Sequence, residues 1–123
     1  MNNQTNYTNV FGALSDKTRL RIMCALINAN NALCICELMD TLKLEQYKIS
    51  RHIKELKTAG LVLEKRSGRF VFYSIAKTDS GFDKHITKSL ETIKDKVISQ
   101  DATRLKKRLA IREGGKCVVG MSK

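Results

Sequence analysis

The sequence predicts a mainly α-helical domain with one small β-hairpin, ordered as a winged helix-turn-helix. Three observations carry that expectation. Apolar residues recur at helical spacing in four segments before residue 60 and again beyond residue 80. A tight turn at Lys43-Leu44 separates two of those segments. Two runs rich in β-branched and aromatic residues, Leu61 to Lys65 and Phe70 to Ile75, then flank Arg66-Ser67-Gly68-Arg69, as in a hairpin with a basic tip.

Tyr7, Val10, Phe11 and Leu14 stand at i, i+3, i+4 and i+7, a short amphipathic helix ending near Ser15, whose hydroxyl can cap the next helix. The second helix carries Leu20, Met23, Cys24 and Ile27 as its apolar stripe, and Asn28 to Asn31 breaks the pattern. A third, from about Ala32 to Leu42 with Asn31 as N-cap, holds the pair Cys34 and Cys36 and should bury Ile35, Leu38 and Leu42. Glu45 to Ala59 places Ile49, Ile53 and Leu56 on one face, and Gly60 stands where a C-terminal cap belongs. Beyond the hairpin, Phe82, Ile86, Leu90, Ile93 and Val97 repeat along one long helix beginning near Asp79 or Ser80. That stripe needs a partner, and with the first helix it forms a surface suited to a homodimer. Residues 1–98 are therefore expected to be the DNA-binding and dimerisation domain, and 99–123 a basic tail in which Leu105 and Leu109 hint at one more short helix.

A chain of 123 residues with 42% hydrophobic and 28% charged residues and no proline has the make-up of one globular unit. Its net charge of +11 suggests a polyanionic partner such as nucleic acid or an acidic membrane surface. No apolar stretch approaches the ~20 residues that span a bilayer, and the first residues do not read as a signal peptide, so a cytoplasmic place is expected. In a reducing compartment cysteines serve as ligands, sensors or core fillers rather than disulfides.

A DNA-reading helix exposes polar and basic side chains at its N-terminal end while its apolar face holds it on the scaffold. Gln46, Tyr47, Lys48, Ser50, Arg51 and His52 meet that description. Gln46 can offer its amide to adenine, and Arg51 or Lys48 can reach guanine or phosphate. Between Lys43 and Arg69 stand eight basic and three acidic side chains, and Arg66 and Arg69 at the hairpin tip suit a phosphate or minor-groove contact with double-stranded DNA.

Cys34 and Cys36 are soft ligands, and a close thiol pair selects soft metal ions and metalloids over magnesium or calcium. A helix N-terminus also lowers a thiol pKa. On a regular helix residues two apart point about 200° from each other. Capture of one atom by both sulfurs is thus expected to unwind or tilt the start of the third helix, which braces the DNA-reading one.

Taken in order, Ala13-Leu14-Ser15-Asp16-Lys17-Thr18-Arg19-Leu20-Arg21-Ile22, Leu33-Cys34-Ile35-Cys36-Glu37-Leu38, Lys48-Ile49-Ser50-Arg51-His52-Ile53, Leu56-Lys57-Thr58-Ala59-Gly60-Leu61-Val62 and Gly68-Arg69 resemble the ArsR/SmtB repressors of bacteria and archaea. The resemblance spans about Val10 to Val97. It implies homodimeric repressors that sit on operators of imperfect dyad symmetry and leave when a metal or metalloid binds. Glu45 and Tyr47 depart from it, since family members often have serine and proline there. In many arsenic-responsive relatives a third cysteine follows the pair by three residues, where this chain has Met39. The candidates for a third ligand are then Cys24, on a core stripe, and Cys117, which follows Gly114-Gly115-Lys116; Cys117 is the better placed, from the same or the other subunit. Three thiolates suit As(III) or Sb(III), whereas a pair alone suits a trivalent organoarsenical or another soft metal ion. Asp83-Lys84-His85 imitates the start of a zinc site found on the last helix of other relatives, but Lys96 and Ser99 stand where later ligands would be, so His85 reads as an ordinary helix residue.

The expected function is a metalloid-responsive repressor that dissociates from a palindromic operator when thiolates capture As(III) or Sb(III). Two alternatives stay open, a redox- or persulfide-sensing repressor and a constitutive DNA-binding protein. An enzyme is not expected, because Cys-x-Cys is not the Cys-x-x-Cys of thiol oxidoreductases and no βαβ pattern surrounds it.

Overall fold

The computed structural model describes residues 6–77 and 80–112. Along them run α1 (Tyr7–Leu14), α2 (Lys17–Ala29), β1 (Leu33–Cys34), α3 (Ile35–Leu42), α4 (Gln46–Thr58), β2 (Val62–Ser67), β3 (Phe70–Ile75), α5 (Gly81–Glu91) and α6 (Lys96–Leu109). No described helix is long and apolar enough to cross a membrane.

Capping chemistry sets most of these boundaries. Asn6 opens α1 by accepting the Asn9 N–H, and Asp16, not Ser15, opens α2 by accepting the Arg19 N–H. Asn30 and Lys43 close α2 and α3 in the left-handed conformation, with φ of 50° and 58°. The Lys43 turn is what separates α3 from α4, completing a helix-turn-helix. Ile22, Met23 and Leu26 of α2 meet Leu38 and Leu42 of α3 and Ile49, Ile53 and Leu56 of α4 in one core, each at most 2% exposed. Truncation of any of these leucines to alanine removes ~2–5 kcal/mol.

Behind the helices lies an antiparallel sheet of order β1-β3-β2. Ser67 pairs with Phe70, leaving Gly68-Arg69 as a two-residue turn in which Gly68 takes φ of 61°. That positive angle at the first position is the pattern of a type II′ hairpin, and glycine adopts it without strain. The third strand corrects the expectation of a hairpin alone: Leu33 and Cys34 pair with Tyr73 and Phe72. Two residues are too short to show a period, so the segment looks helical in sequence. The third helix accordingly begins at Ile35 rather than Ala32, and its N-cap is Cys34 rather than Asn31.

The long last helix divides in two. Asp95 accepts the amides of Val97 and Ile98 and starts α6, although the apolar repeat runs through the break. The 98/99 boundary also falls inside α6, which packs along α2 and α3 and buries Ile98, Asp101, Leu105 and Arg108. Residues through Arg112 therefore belong to the same body as the helix-turn-helix.

Candidate functional site

One end of α4 presents the expected nucleic-acid surface. With Ile49, Ile53 and Leu56 facing the core, Gln46, Tyr47, Lys48, Ser50 and Arg51 are exposed. Tyr47 is 72% exposed, and the Arg51 guanidinium carbon stands 5.8 Å from its ring centroid, a cation–π pair one helical turn apart. At the hairpin tip Arg66 and Arg69 are exposed as well. Lys57 Nζ donates to Glu64 at 2.7 Å, tying α4 to β2.

His52 departs from this group. Its ring turns toward α2, where Arg19 Nη1 donates to Nδ1 at 3.2 Å and Asp16 lies 3.8 Å away. Because arginine has no acceptor, the ring accepts at Nδ1 and is neutral. Burial pushes its pKa down, opposed by the Asp16 carboxylate. His52 thus bridges α4 to α2 instead of facing a groove. Its apolar-side neighbours Ile49 and Ile53 are the signal that its helix position is intermediate.

The thiols of Cys34 and Cys36 lie 3.0 Å apart, both buried against Phe70 and Phe72 of β3. The sulfurs converge without unwinding α3, contrary to the sequence expectation. Cys34 is outside the helix: as N-cap it has extended backbone (φ −84°, ψ 168°), so the rotation of about 200° does not apply to it. Glu37 completes a capping box with cysteine in the serine position, accepting the Cys34 N–H at 3.1 Å.

Glu37 is fully buried, and the Arg112 guanidinium bonds both of its oxygens while also donating to Ala32 O at 2.7 Å. Burial alone pushes the Glu37 pKa up, but the Arg112 and Cys34 hydrogen bonds outweigh it and hold the carboxyl below its ordinary value. Two more arginines stand one and two turns back along α6. Arg108 Nε donates to Asp40 at 2.8 Å with Nη2 3.9 Å from Cys36 Sγ, and Arg104 Nε donates to Thr41 O at 2.7 Å. Asp101, 2% exposed, collects Arg104 and a bidentate Arg21, whose Nη2 also donates to Leu42 O at 2.6 Å. What reads in sequence as a solvated basic run is a row of guanidiniums at i, i+4 and i+8 facing α3. That spacing, with Leu105 and Leu109 between, is the signal for it.

Cys24 is isolated from this site. It is 4% exposed, its Sγ lies 3.9 Å from Leu90 O, and burial first, then Asp101 and Asp95, push its pKa to about 11. Such a thiol is inert. Asp83 is half-buried and His85 exposed on α5. Cys117 lies outside the described residues. Among the described residues no group of three or more His, Cys, Asp and Glu side chains could hold a metal ion, and Cys34 and Cys36 bring two soft donors together.

Comparison with known proteins agrees with this architecture. The family model described as bacterial regulatory protein, arsR family, matches residues 16–63. The chain is 38% identical over 96 residues to the arsenic resistance transcriptional regulator ArsR1 of Pseudomonas putida, covering 78% of this chain and 74% of that one. It is 39% identical over 67 residues to the arsenical resistance operon repressor of Escherichia coli, covering 54% and 56% of the two chains. Among solved structures, HlyU from Vibrio cholerae superposes with a TM-score of 0.60 at 30% identity, covering 68% of this chain and 86% of that chain. The cadmium metal-sensor CMTR from Mycobacterium tuberculosis gives 0.53 at 29% identity, with 69% and 84% covered.

Proposed function

Since the chain belongs to the ArsR family of DNA-binding transcription regulators and is not an enzyme, we propose that it is a repressor released from its operator by a trivalent metalloid captured at Cys34 and Cys36. The observation that carries this reading is the 3.0 Å separation of two buried thiols at the N-cap of α3, the helix that leads directly into α4. Both sulfurs can bond one atom at about 2.3 Å, the length of a zinc–thiolate bond, with an angle of about 80° between the bonds. Such a narrow angle suits a pyramidal three-coordinate centre better than a tetrahedral one.

Cys117 of the same subunit is the third ligand in this reading. Arg112 anchors the end of the described chain to Glu37 and Ala32 beside the thiols, and Cys117 follows five positions later, within a span of at most ~18 Å. Gly114 and Gly115 let the intervening backbone turn. With arsenite the reaction is substitution without redox change. Each S–H proton leaves with one arsenic hydroxyl as water, so three As–O bonds break, three S–As bonds form and arsenic stays trivalent.

The repressor acts as a homodimer in which α1 and α5 supply the interface. Tyr7 and Phe11, each 57% exposed, stand edge-on to Phe82 at 4.8 and 5.6 Å, an aromatic patch on adjoining helices. Paired subunits would set two α4 helices roughly 34 Å apart for successive major grooves of a palindromic operator.

The test is an operator-release titration with arsenite, antimonite, cadmium and zinc under strong reductant, on wild type and on Cys→Ser variants at 34, 36 and 117. Release by arsenite that Cys34→Ser and Cys36→Ser abolish supports the proposal. Release only by oxidant points to the redox switch, and none at all to a constitutive DNA-binding protein. An unchanged response in Cys117→Ser removes the tail ligand and leaves the pair to an organoarsenical or another soft ion.

A further inference from the structure

Arg108 stands between the thiol site and the turn that positions the DNA-reading helix. Its side chain is 5% exposed, and it spans from Cys36 at the start of α3 to Asp40 in the last turn. Asp40 precedes by three residues Lys43, the left-handed residue from which α4 departs. The final carbonyls of α3 are held by neighbouring guanidiniums, Thr41 O by Arg104 and Leu42 O by Arg21. Helix ends leave such carbonyls without intrahelical partners, so whatever holds them fixes where the chain turns.

We propose that Arg108 is a positioning residue that carries the occupancy of the thiol pair to this turn, an inference that rests on the thiol reading above. With the pair empty, Arg108 is shared between Cys36 Sγ and Asp40. Capture replaces the Cys36 S–H bond by a bond to a metalloid, which leaves the sulfur its lone pairs but puts a much larger atom beside a guanidinium 3.9 Å from Sγ. A guanidinium nearly fully buried in a close-packed contact has no room to absorb that atom in place. Arg108 therefore moves, and because it rises from the same face of α6 as Arg104, α6 shifts against the end of α3. The turn at Lys43 and the groove-facing end of α4 follow.

The measurement pairs arsenite affinity with operator affinity for the full chain, wild type against Arg108→Met, which keeps the stem and removes the charge. The ratio of operator Kd with and without saturating arsenite reads the coupling, expected at about 5- to 150-fold in wild type. In Arg108→Met the ratio should fall below about threefold while arsenite still binds within about threefold of wild type. Arg108→Lys, which retains a cation, should recover part of the ratio. A residue that only stabilises the fold would lower the melting temperature and leave the ratio alone. If Arg108→Met does not fold, Arg108→Met with Asp40→Leu removes the pair together, and the same ratio is read on that variant. A wild-type ratio in whichever variant folds overturns the proposal. Should Cys36→Ser also respond as wild type, the thiol reading itself has failed; should it lose the response, only the role of Arg108 has.

Discussion

Replacing Glu37 by glutamine keeps the shape and the acceptor for the Cys34 amide but removes the charge that Arg112 grips with two hydrogen bonds. Breaking a buried pair by neutralising one partner costs about 3–5 kcal/mol, because the other charge stays buried. Arg112 keeps its bond to Ala32 O and stands at the end of the last described turn, which places the cost near the lower bound, about 3 kcal/mol. At an unfolding entropy of about 2.1 cal/mol/K per residue, that is a fall in Tm of about 12 °C for a domain of this size. The assay is thermal unfolding by far-ultraviolet circular dichroism at fixed protomer concentration, since the proposed dimer would make Tm depend on concentration. The pH dependence adds a second reading. Glu37 has its carboxyl pKa lowered from 4.5 by folding, so its stabilisation is complete above that value and disappears as pH falls through the lower, folded one. The gap between wild type and Glu37→Gln should therefore be constant above about pH 5 and close on acidification. A Tm loss under about 3 °C at neutral pH, or a gap that persists in acid, refutes the buried-pair account.

Three other outcomes are expected. Cys24→Ala should leave arsenite release unchanged, and in native wild-type protein at pH 8 an alkylating reagent should spare Cys24, whose thiol pKa is about 11; modification at Cys24 before unfolding contradicts its inert role. Tyr47→Ala should change Tm by no more than ~0.5 kcal/mol equivalent, because the ring is 72% exposed, yet weaken operator binding by releasing Arg51 from its stack. Operator selection should then show relaxed preference at the base pair that Arg51→Ala also relaxes, and Tyr47→Phe should behave as wild type. Phe11→Glu, placed in the aromatic patch with Phe82, should shift sedimentation toward monomer and lower operator affinity together; a dimer of unchanged stability locates the interface elsewhere.

Local signals in the sequence account for most of the helix-turn-helix. The periodic leucines and isoleucines of α2, α3 and α4 specify faces that the structure buries, and Gly68 with its flanking aromatics marks the hairpin. The misses share a physical cause, which is that pairing across the fold overrides local pattern. Leu33 and Cys34 become a strand because they pair with Tyr73 and Phe72 of β3, although nothing in a two-residue run shows it. Asp95 starts a new helix where the apolar repeat would continue the old one, since its carboxylate captures two amides at once. Arg104, Arg108 and Arg112 look like a solvated tail until Asp40, Glu37 and the carbonyls of α3 are known to face them. The thiol pair was legible as chemistry but not as geometry, because its approach depends on Cys34 being an N-cap.

That geometry changes how a small ligand could act on DNA. Cys34 pairs with Phe72 in the wing strand, while Cys36 belongs to the helix that precedes α4, so in the proposed reading one bound atom touches the supports of both elements proposed to face DNA. Opening the sulfurs from 3.0 Å to the roughly 3.8 Å of a tetrahedral dithiolate is a sub-ångström movement, and a pyramidal centre demands less. No helix has to unwind. A bidentate base contact is worth about 1–3 kcal/mol and tolerates little misplacement, so the loss of a single such contact in a half-site is enough to supply an allosteric coupling of about 1–3 kcal/mol. The packed row of guanidiniums between α6 and α3 makes that displacement effective, because a close-packed contact passes a small shift on instead of absorbing it.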